Sequence, residues 1–448
     1  MKTGFDLTEG PILKKFIQVA VPILLNSFLG KFYNIADTVI VGKFAGDGAM
    51  QAIAAVGTSG VLVALIVNLF MGLSVGSNVV CANCYGARDY SGFSKAMHTS
   101  IVFGVVLGIP IALFGWFISE PLLRMMDTPD DVIGKATLYM KIYFSGTPVS
   151  MISWYTTSVL RAIGDTKKPL YILIVSGMLN VVLNIVCVVG FKMDVAGVAI
   201  GTVASQLYSA VSILIYLTKI EPELRLDIKK LRLYGNEAKR ILKIGIPAGM
   251  DSIMFSLSNT VIQSAVNSFG STVLAANSVA LKYNQLSDTL IASGKHACVS
   301  FVGQNMGARN YDRVKKVIRT SMIATSVITI AFDAIIVLNS RFFLGFFTNE
   351  VSVIDEGIKY LAIVVAPFFV LGISDILGGS LRGMGYNNAP MLINLMGVCL
   401  FRVAWVLLVL PLHNTYEMLL LSYPASWIVT LIATLSVYAH AKRRVLKQ

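Results

Sequence analysis

The chain is expected to be all-α and to cross a membrane twelve times. Three observations lead there: an apolar composition, apolar stretches that recur at bilayer length, and basic residues gathered in the gaps between them. Of the 448 residues, 55% are hydrophobic and 14% are charged, against about 25% charged in soluble domains. A soluble chain this apolar would expose large adhesive patches, which a lipid bilayer would cover. The net charge of +13 raises nucleic acid as a partner. No basic run is interleaved with aromatics, and the charges sit in short gaps, so nucleic-acid binding is not expected.

A helix crosses the hydrocarbon core of about 30 Å in about 20 residues. Apolar stretches of that order fall at 14–41, 52–80, 96–118, 132–160, 168–191, 195–218, 240–268, 274–302, 317–345, 353–379, 388–411 and 416–440. Gly and Pro inside them are tolerated where neighbouring helices satisfy the freed backbone. Met1 to Gly10 is polar, with Asp6 and Glu9, and lacks the basic region and cleavage site of a signal peptide. The first apolar stretch is therefore expected to remain in the mature chain. Five cysteines, an odd number, imply no disulfide framework. Cys81 and Cys84 form a lone C-x-x-C without the second pair of ligands that zinc needs.

Basic residues set the orientation. With both termini cytoplasmic, 26 of the 37 Lys and Arg fall on the inner side and 7 on the outer, while Lys31, Lys282, Lys295 and Arg402 fall inside apolar stretches. The lack of long tails or eukaryotic targeting signals points to the plasma (inner) membrane of a bacterium. The longest polar stretch, Thr218 to Lys239, reads as a cytoplasmic linker. The expected division is an N-terminal six-helix lobe over 1–218, a linker over 219–239 and a C-terminal six-helix lobe over 240–448. An internal repeat supports it. Gly86-Ala87-Arg88-Asp89-Tyr90 matches Gly307-Ala308-Arg309-Asn310-Tyr311 at an offset of 221. At the same offset Leu160-Arg161-Ala162-Ile163-Gly164 matches Leu381-Arg382-Gly383-Met384-Gly385, and Pro169 matches Pro390. Six helices per half is an even number, so the halves are parallel repeats related by a pseudo-two-fold along the membrane normal.

An ionisable side chain inside a membrane is a candidate working residue, because burying it costs free energy. In the first stretch this is Asp37. Tyr33 and Asn34 lie one turn before it on the same face, and Pro22 interrupts the same helix. The fifth stretch carries Asn180 and Asn184; the sixth carries Thr202, Ser205 and Gln206. At about 1.5 Å per residue, Asn184 lies about 24 Å above the inner surface and Thr202 about 10 Å below the outer one. The levels nearly coincide, with Asp37 close to both. A carboxylate, two amide oxygens and a hydroxyl would suit a hard cation such as Na⁺; a proton needs only the carboxylate. The alternative for Asn180 or Thr202 alone is a hydrogen bond between packed helices.

The C-terminal half has Asp251, Asp288, Lys295, Asp333, Asp375 and Arg402 in or near apolar stretches. Asp375 with Arg402 is one plausible ion pair; Asp251 and Asp375 could instead form a second cation or substrate site. Arg88, Arg161, Arg309 and Arg382, at inner helix ends, read as topological anchors.

These residues carry a resemblance. Leu7-Thr8-Glu9-Gly10-Pro11-Ile12-Leu13-Lys14-Lys15, then Pro22, then Tyr33-Asn34-Ile35-Ala36-Asp37-Thr38 with Val41-Gly42, resemble the start of a multidrug and toxic compound extrusion (MATE) transporter. The repeated loops and Val195-Ala196-Gly197-Val198-Ala199 with Thr202 are similar to that family's too. The resemblance covers essentially the whole chain. It implies a MATE-like fold of two six-helix lobes, and antiport that exports small amphipathic, mostly cationic drugs or metabolites against H⁺ or Na⁺. It also implies that Asp37 is the coupling carboxylate, that Pro22 is a hinge, and that Asn180, Asn184 and Thr202 line the cation site, which is a metal site if the ion is Na⁺. Tyr33, Asn34, Gln206, Asp251 and Asp375 are the substrate-cavity candidates. Many members closest in pattern have Asp where this chain has Asn184, so weaker Na⁺ binding is expected. No cofactor beyond the coupling ion, no catalytic residues and a monomer are expected. A lipid-linked oligosaccharide flippase of the same superfamily is the alternative. An intramembrane enzyme is disfavoured: there is no H-E-x-x-H and the four His are scattered.

Overall fold

A computed structural model describes residues 6–44 and 49–445; Lys2 and Lys447 of the inner charge lie outside the described residues. Every element among the described residues is helical. The first half comprises α1 (Ile12–Phe44), α2 (Ala49–Gly86), α3 (Tyr90–Met125), α4 (Asp130–Ser145), α5 (Thr147–Ala162), α6 (Lys167–Ile185) and α7 (Asp194–Lys219). The second comprises α8 (Gly235–Asn267), α9 (Ser271–Gly307), α10 (Tyr311–Leu338), α11 (Ser340–Gly345), α12 (Val351–Tyr360), α13 (Phe369–Gly383), α14 (Asn388–Asn394), α15 (Phe401–Ala404) and α16 (Tyr416–Val445). Four short π-helical stretches, Val186–Gly190, Leu361–Val365, Leu395–Leu400 and Trp405–Val409, continue α6, α12, α14 and α15.

Ten of the described helical spans are long and apolar enough to cross a bilayer. The expected stretches 132–160 and 274–302 complete the twelve. The first is covered by α4 and α5, of 16 residues each, which meet at Gly146 just before Pro148. Proline tolerates the first turn of a helix and removes a donor from a continuing one, so this one span is built from two helical segments. The second, α9, has 37 residues. Asn277, Asn284, Asp288, Lys295 and Gln304 along it lower its hydropathy.

The two repeated sequence motifs are helix corners. Arg88 N–H donates to Tyr85 O at 3.0 Å and Asp89 N–H to Cys84 O at 2.9 Å. Arg309 and Asn310 do the same to Met306 O and Asn305 O at 3.1 and 2.9 Å. In the second motif Gly164 and Asp165 reach Arg161 O and Leu160 O, and Gly385 and Tyr386 reach Arg382 O and Leu381 O. All four corners close the helix with the paired bonds of a Schellman motif, whose first residue past the helix is left-handed. Its φ is 56° at Arg88, 55° at Arg309, 79° at Gly164 and 90° at Gly385. Asp89 then caps the next helix, its Oδ1 accepting from Gly92 N–H at 2.8 Å, as Asn310 Oδ1 does from Arg313 N–H at 3.3 Å. The repeat is therefore one of backbone geometry, with the four bonds placed identically in both halves.

By packing, the chain forms two compact units whose borders differ from 1–218 and 240–448. Unit 1 holds residues 1–6 and 21–246; unit 2 holds 7–20 and 247–448. Each unit thus takes the opening turns of the other half's first helix, and the borders fall beside Pro22 in α1 and Pro247 in α8. In unit 2, Leu7 is fully buried; its N–H donates to Gln304 Oε1 at 2.9 Å, and its carbonyl accepts from Asn305 Nδ2 at 3.2 Å. Arg313 Nη2 holds Glu9 O and Gly10 O at 2.7 and 2.8 Å. In unit 1, the linker is held by His98 Nε2, 2.9 Å from Asp227 O, and by Thr99 Oγ1, which accepts from Tyr234 N–H at 3.2 Å. The Lys229 backbone N–H holds the exposed Asp227 carboxyl below the usual carboxylate range. Gly76 and Gly245 let α2 and the opening of α8 meet backbone to backbone: a Cβ on Gly76 would collide with Ile241 O, and one on Gly245 would come 2.6 Å from Leu73 O. Small residues are what allow such approach between membrane helices.

A Cβ on Gly385 would meet nothing within 4 Å, so the effect of Gly385→Ala is backbone strain alone. It is expected to destabilise by about 1–2 kcal/mol, read as a lower unfolding midpoint in detergent. Arg309→Gly is expected to fall within about 0.5 kcal/mol of neutral, because relief of the same strain offsets the freedom gained by the unfolded chain.

Candidate functional site

Three helices of unit 1 change from apolar to polar at one level. Ile40 and Val41 on α1, Val188 just past α6, and Val198 and Ala199 on α7 belong to one buried apolar cluster. One turn from each lies a polar side chain: Asp37, Asn184 and Thr202. Asp37 is 6% exposed and Asn184 is fully buried. Asn184 Nδ2 donates to Asp37 Oδ1 at 2.6 Å and to Asn180 Oδ1 at 3.4 Å, and Asn180 Nδ2 donates to Thr202 Oγ1 at 3.4 Å. The sequence placed these four residues at similar depth; the structure joins them into one hydrogen-bonded chain across α1, α6 and α7. Asn184 is its hub. The Asn184 Oδ1 is buried and accepts no hydrogen bond. It lies against Gly201, where a Cβ would collide with it.

The chemistry open to this cluster follows from its atoms. An amide donor occupies one oxygen of Asp37, while Asn184 Oδ1 is an unsatisfied acceptor. A buried acceptor without a donor costs about 1–3 kcal/mol. A cation or proton arriving at the carboxylate would let the amide turn and present that oxygen.

The other expected residues separate. Tyr33 is half-buried; its Oη donates to Ile174 O at 3.4 Å and its ring lies on Gly177, where a Cβ would collide with it. Its contacts thus tie α1 to α6. Asn34 is exposed, and its carbonyl accepts from Thr38 Oγ1 at 3.1 Å. Gln206, one turn past Thr202, is half-buried. Pro22 lies inside a continuous α1.

In unit 2 the acids have cations of their own. Asp375 on α13 pairs with Lys295 Nζ on α9 at 2.9 Å, so the expected Asp375–Arg402 pair does not form. Asp251 on α8 receives Arg382 Nη2 at 2.6 Å and Asn394 Nδ2 at 2.8 Å. Both pairs, with Ser374, Asn394 and Thr434, line one small polar cavity. Arg382 was read as an anchor at an inner helix end; it is 4% exposed and bound to Asp251. The repeat held a clue. Its counterpart Arg161 is buried too, but the positions 221 residues before Asp251 and Asn394 are Gly30 and Leu173. At those two positions the second half has Asp251 and Asn394, which accompany Arg382. Asp333 accepts from Ser287 Oγ at 2.5 Å.

Comparison with known proteins agrees with the twelve-helix architecture. A "Multidrug export protein MepA" of Staphylococcus aureus is 23% identical over 89% of this chain and 88% of its own. A "Probable multidrug resistance protein YoeA" of Bacillus subtilis is 28% identical over 93% of this chain and 91% of its own. A solved MOP superfamily transporter from Pyrococcus furiosus, whose description reports a binding pocket of reverse polarity, matches with a TM-score of 0.89 and 20% identity over the whole of both chains. The family model described as MatE matches residues 22–186 and 247–407, one segment in each half. With ten bilayer-length apolar spans, a repeat on which the family model falls twice, and this fold, the chain is a multi-pass membrane protein and belongs to the MatE family of transporters.

Proposed function

We propose that the chain is a secondary active exporter of small amphipathic, chiefly cationic compounds, driven by exchange for H⁺ or Na⁺ at Asp37, in the plasma membrane of a bacterium with both termini cytoplasmic. The observation that carries this reading is the buried Asp37 carboxylate, bridged by Asn184 and Asn180 to Thr202. The names of the relatives, which speak of multidrug export and resistance, support the drug substrates. The inner basic excess supports the orientation. None of the three proteins compared above is described as a flippase, and no observation favours that alternative.

The cycle rests on the cost of an uncompensated charge in a low-dielectric interior. In one state the cation neutralises Asp37; in the other Asp37 is ionised and held by the Asn184 amide. A ligand shifts such an equilibrium only by its difference in affinity for the two states. The carboxylate needs only one proton to be neutralised. Na⁺ asks for several oxygens at once, and here Asn184 must turn to provide one. The packing change beside Pro22 supports its role as the hinge of α1. Asn34, exposed on the Asp37 helix, and Gln206 are the closest substrate contacts. Tyr33 contributes through its packing on α6. In unit 2, a cationic substrate reaches Asp375 only by displacing Lys295, whose side chain is 24% exposed; Asp251 is held more deeply by Arg382.

Asp37→Asn is expected to reduce gradient-driven dye efflux from vesicles to background while membrane insertion is retained. Efflux and cellular drug resistance that survive the change would remove Asp37 from coupling. Asn184→Asp adds a second carboxylate beside the first. It is expected to lower the Na⁺ concentration for half-maximal efflux about tenfold, equivalent to about 1.4 kcal/mol; an unchanged Na⁺ response would sink the assignment of Asn184 as a cation ligand.

A further inference from the structure

The second half carries a counterpart of the Asp37 cluster with the charge reversed. In the first half the cluster is built on the first, fifth and sixth helical spans. One residue off the 221 register of the loop motifs, Asn259 on α8 lies 222 residues after Asp37, and Arg402 on α15 lies 222 after Asn180. The sixth span, α16, supplies Ser426 and Tyr423. A π-helical stretch follows each cluster residue: Val186–Gly190 comes after Asn184 and Trp405–Val409 after Arg402. Arg402 joins the three helices as the amides do in the first half. Its Nε donates to Ser426 Oγ at 3.0 Å and its Nη1 to Asn259 Oδ1 at 3.3 Å, while Cζ lies 4.3 Å from the centre of the Tyr423 ring.

This guanidinium is 1% exposed. Among the described residues no carboxylate lies within 4.0 Å of it: Asp375 is with Lys295 and Asp251 with Arg382. Its Nη2 is buried without a hydrogen-bond partner. The Trp427 indole, whose ring stands 6.0 Å from that of Tyr423, also leaves its Nε1 donor unmatched. The neighbourhood therefore holds a full positive charge and more donors than acceptors. Buried donors are nearly always matched, and a buried charge is paired or coordinates an ion. The ring and two neutral oxygens meet part of that need, but neither brings a negative charge.

We propose that Arg402, with Asn259, Ser426 and the Tyr423–Trp427 edge, forms a binding site for a monovalent anion, either a free halide or the carboxylate of a transported compound. The anion seats at Nη2 and supplies the missing charge. Arg402 lies in a four-residue α-helical stretch between two π-helical ones. Such stretches are where a helix departs from regular bonding, often at functional sites, and they provide the give that entry to a closed site needs. The site goes beyond the coupling reading: it is in the other unit and does not depend on which cation Asp37 takes.

The test uses the purified full chain in detergent. Its thermal unfolding is followed while sodium chloride, bromide or acetate replaces the sodium salt of a bulky buffer sulfonate at constant ionic strength. The unfolding midpoint is expected to rise by about 1–2 °C as the free anion reaches a tenfold excess over its dissociation constant, and Arg402→Gln is expected to lose that rise. An exposed-arginine control, Arg124→Gln, should keep it. A response to halides alone assigns the site to the inorganic ion, and a response to acetate alone assigns it to a carboxylate. A flat wild-type response, or an equal rise in Arg402→Gln, overturns the proposal. Should Arg402→Gln fail to fold, bromide in wild-type crystals decides: an anomalous peak beside Nη2 is expected, and its absence at saturating bromide refutes the site.

Discussion

A bilayer core offers a polar side chain no hydrogen-bond partner, so a buried carboxylate must find its partner within the protein. Asp37 meets this constraint chiefly through the Asn184 amide. That bond fixes α1 against α6, and the continuation through Asn180 to Thr202 fixes α6 against α7. The apolar cluster one turn away keeps water off the far side. What holds the three helices in register is thus the same contact that a coupling cation would have to break.

The two units satisfy the same constraint in different ways. In the first, one carboxylate leans on neutral amides and stays available. In the second, both cavity acids are neutralised by the chain's own Lys295 and Arg382, which leaves little driving force for a bare cation there. Breaking a buried pair by removing one partner costs about 3–5 kcal/mol, so Asp251–Arg382 resists exchange, and the more exposed Asp375–Lys295 pair resists it less. The halves share corners, helix order and π-helical stretches, yet only the first keeps a carboxylate free of an ionic partner in its cluster.

Much of this was legible in the sequence because it depends on amounts and periods. Twelve apolar stretches, the inner basic excess and the repeat at 221 need no geometry. The depth of Asp37, Asn184 and Thr202 follows from the rise of a helix, so their convergence was legible too. Partner choice was not. Asp375 pairs with Lys295, and Arg402 with no acid, because helical rotation decides which faces meet; a count along the chain does not supply it. Tyr33 shares a helical face with Asp37 but is drawn onto Gly177, a contact set by a missing Cβ on another helix. The break between α4 and α5 lay within an unbroken apolar run and was signalled only by Gly146 and Pro148.

The exchange of opening segments bears on how the protein is made. Residues 7–20 leave the ribosome well before the surface they pack on, around Gln304, Asn305 and Arg313, which is synthesised hundreds of residues later. Unit 1 in turn is completed only when residues 219–246 have emerged. Neither duplicated half is therefore a finished folding unit. The ancestral repeat has become an interlocked pair, and a chain cut between its halves would have to reassemble in trans before either half was whole.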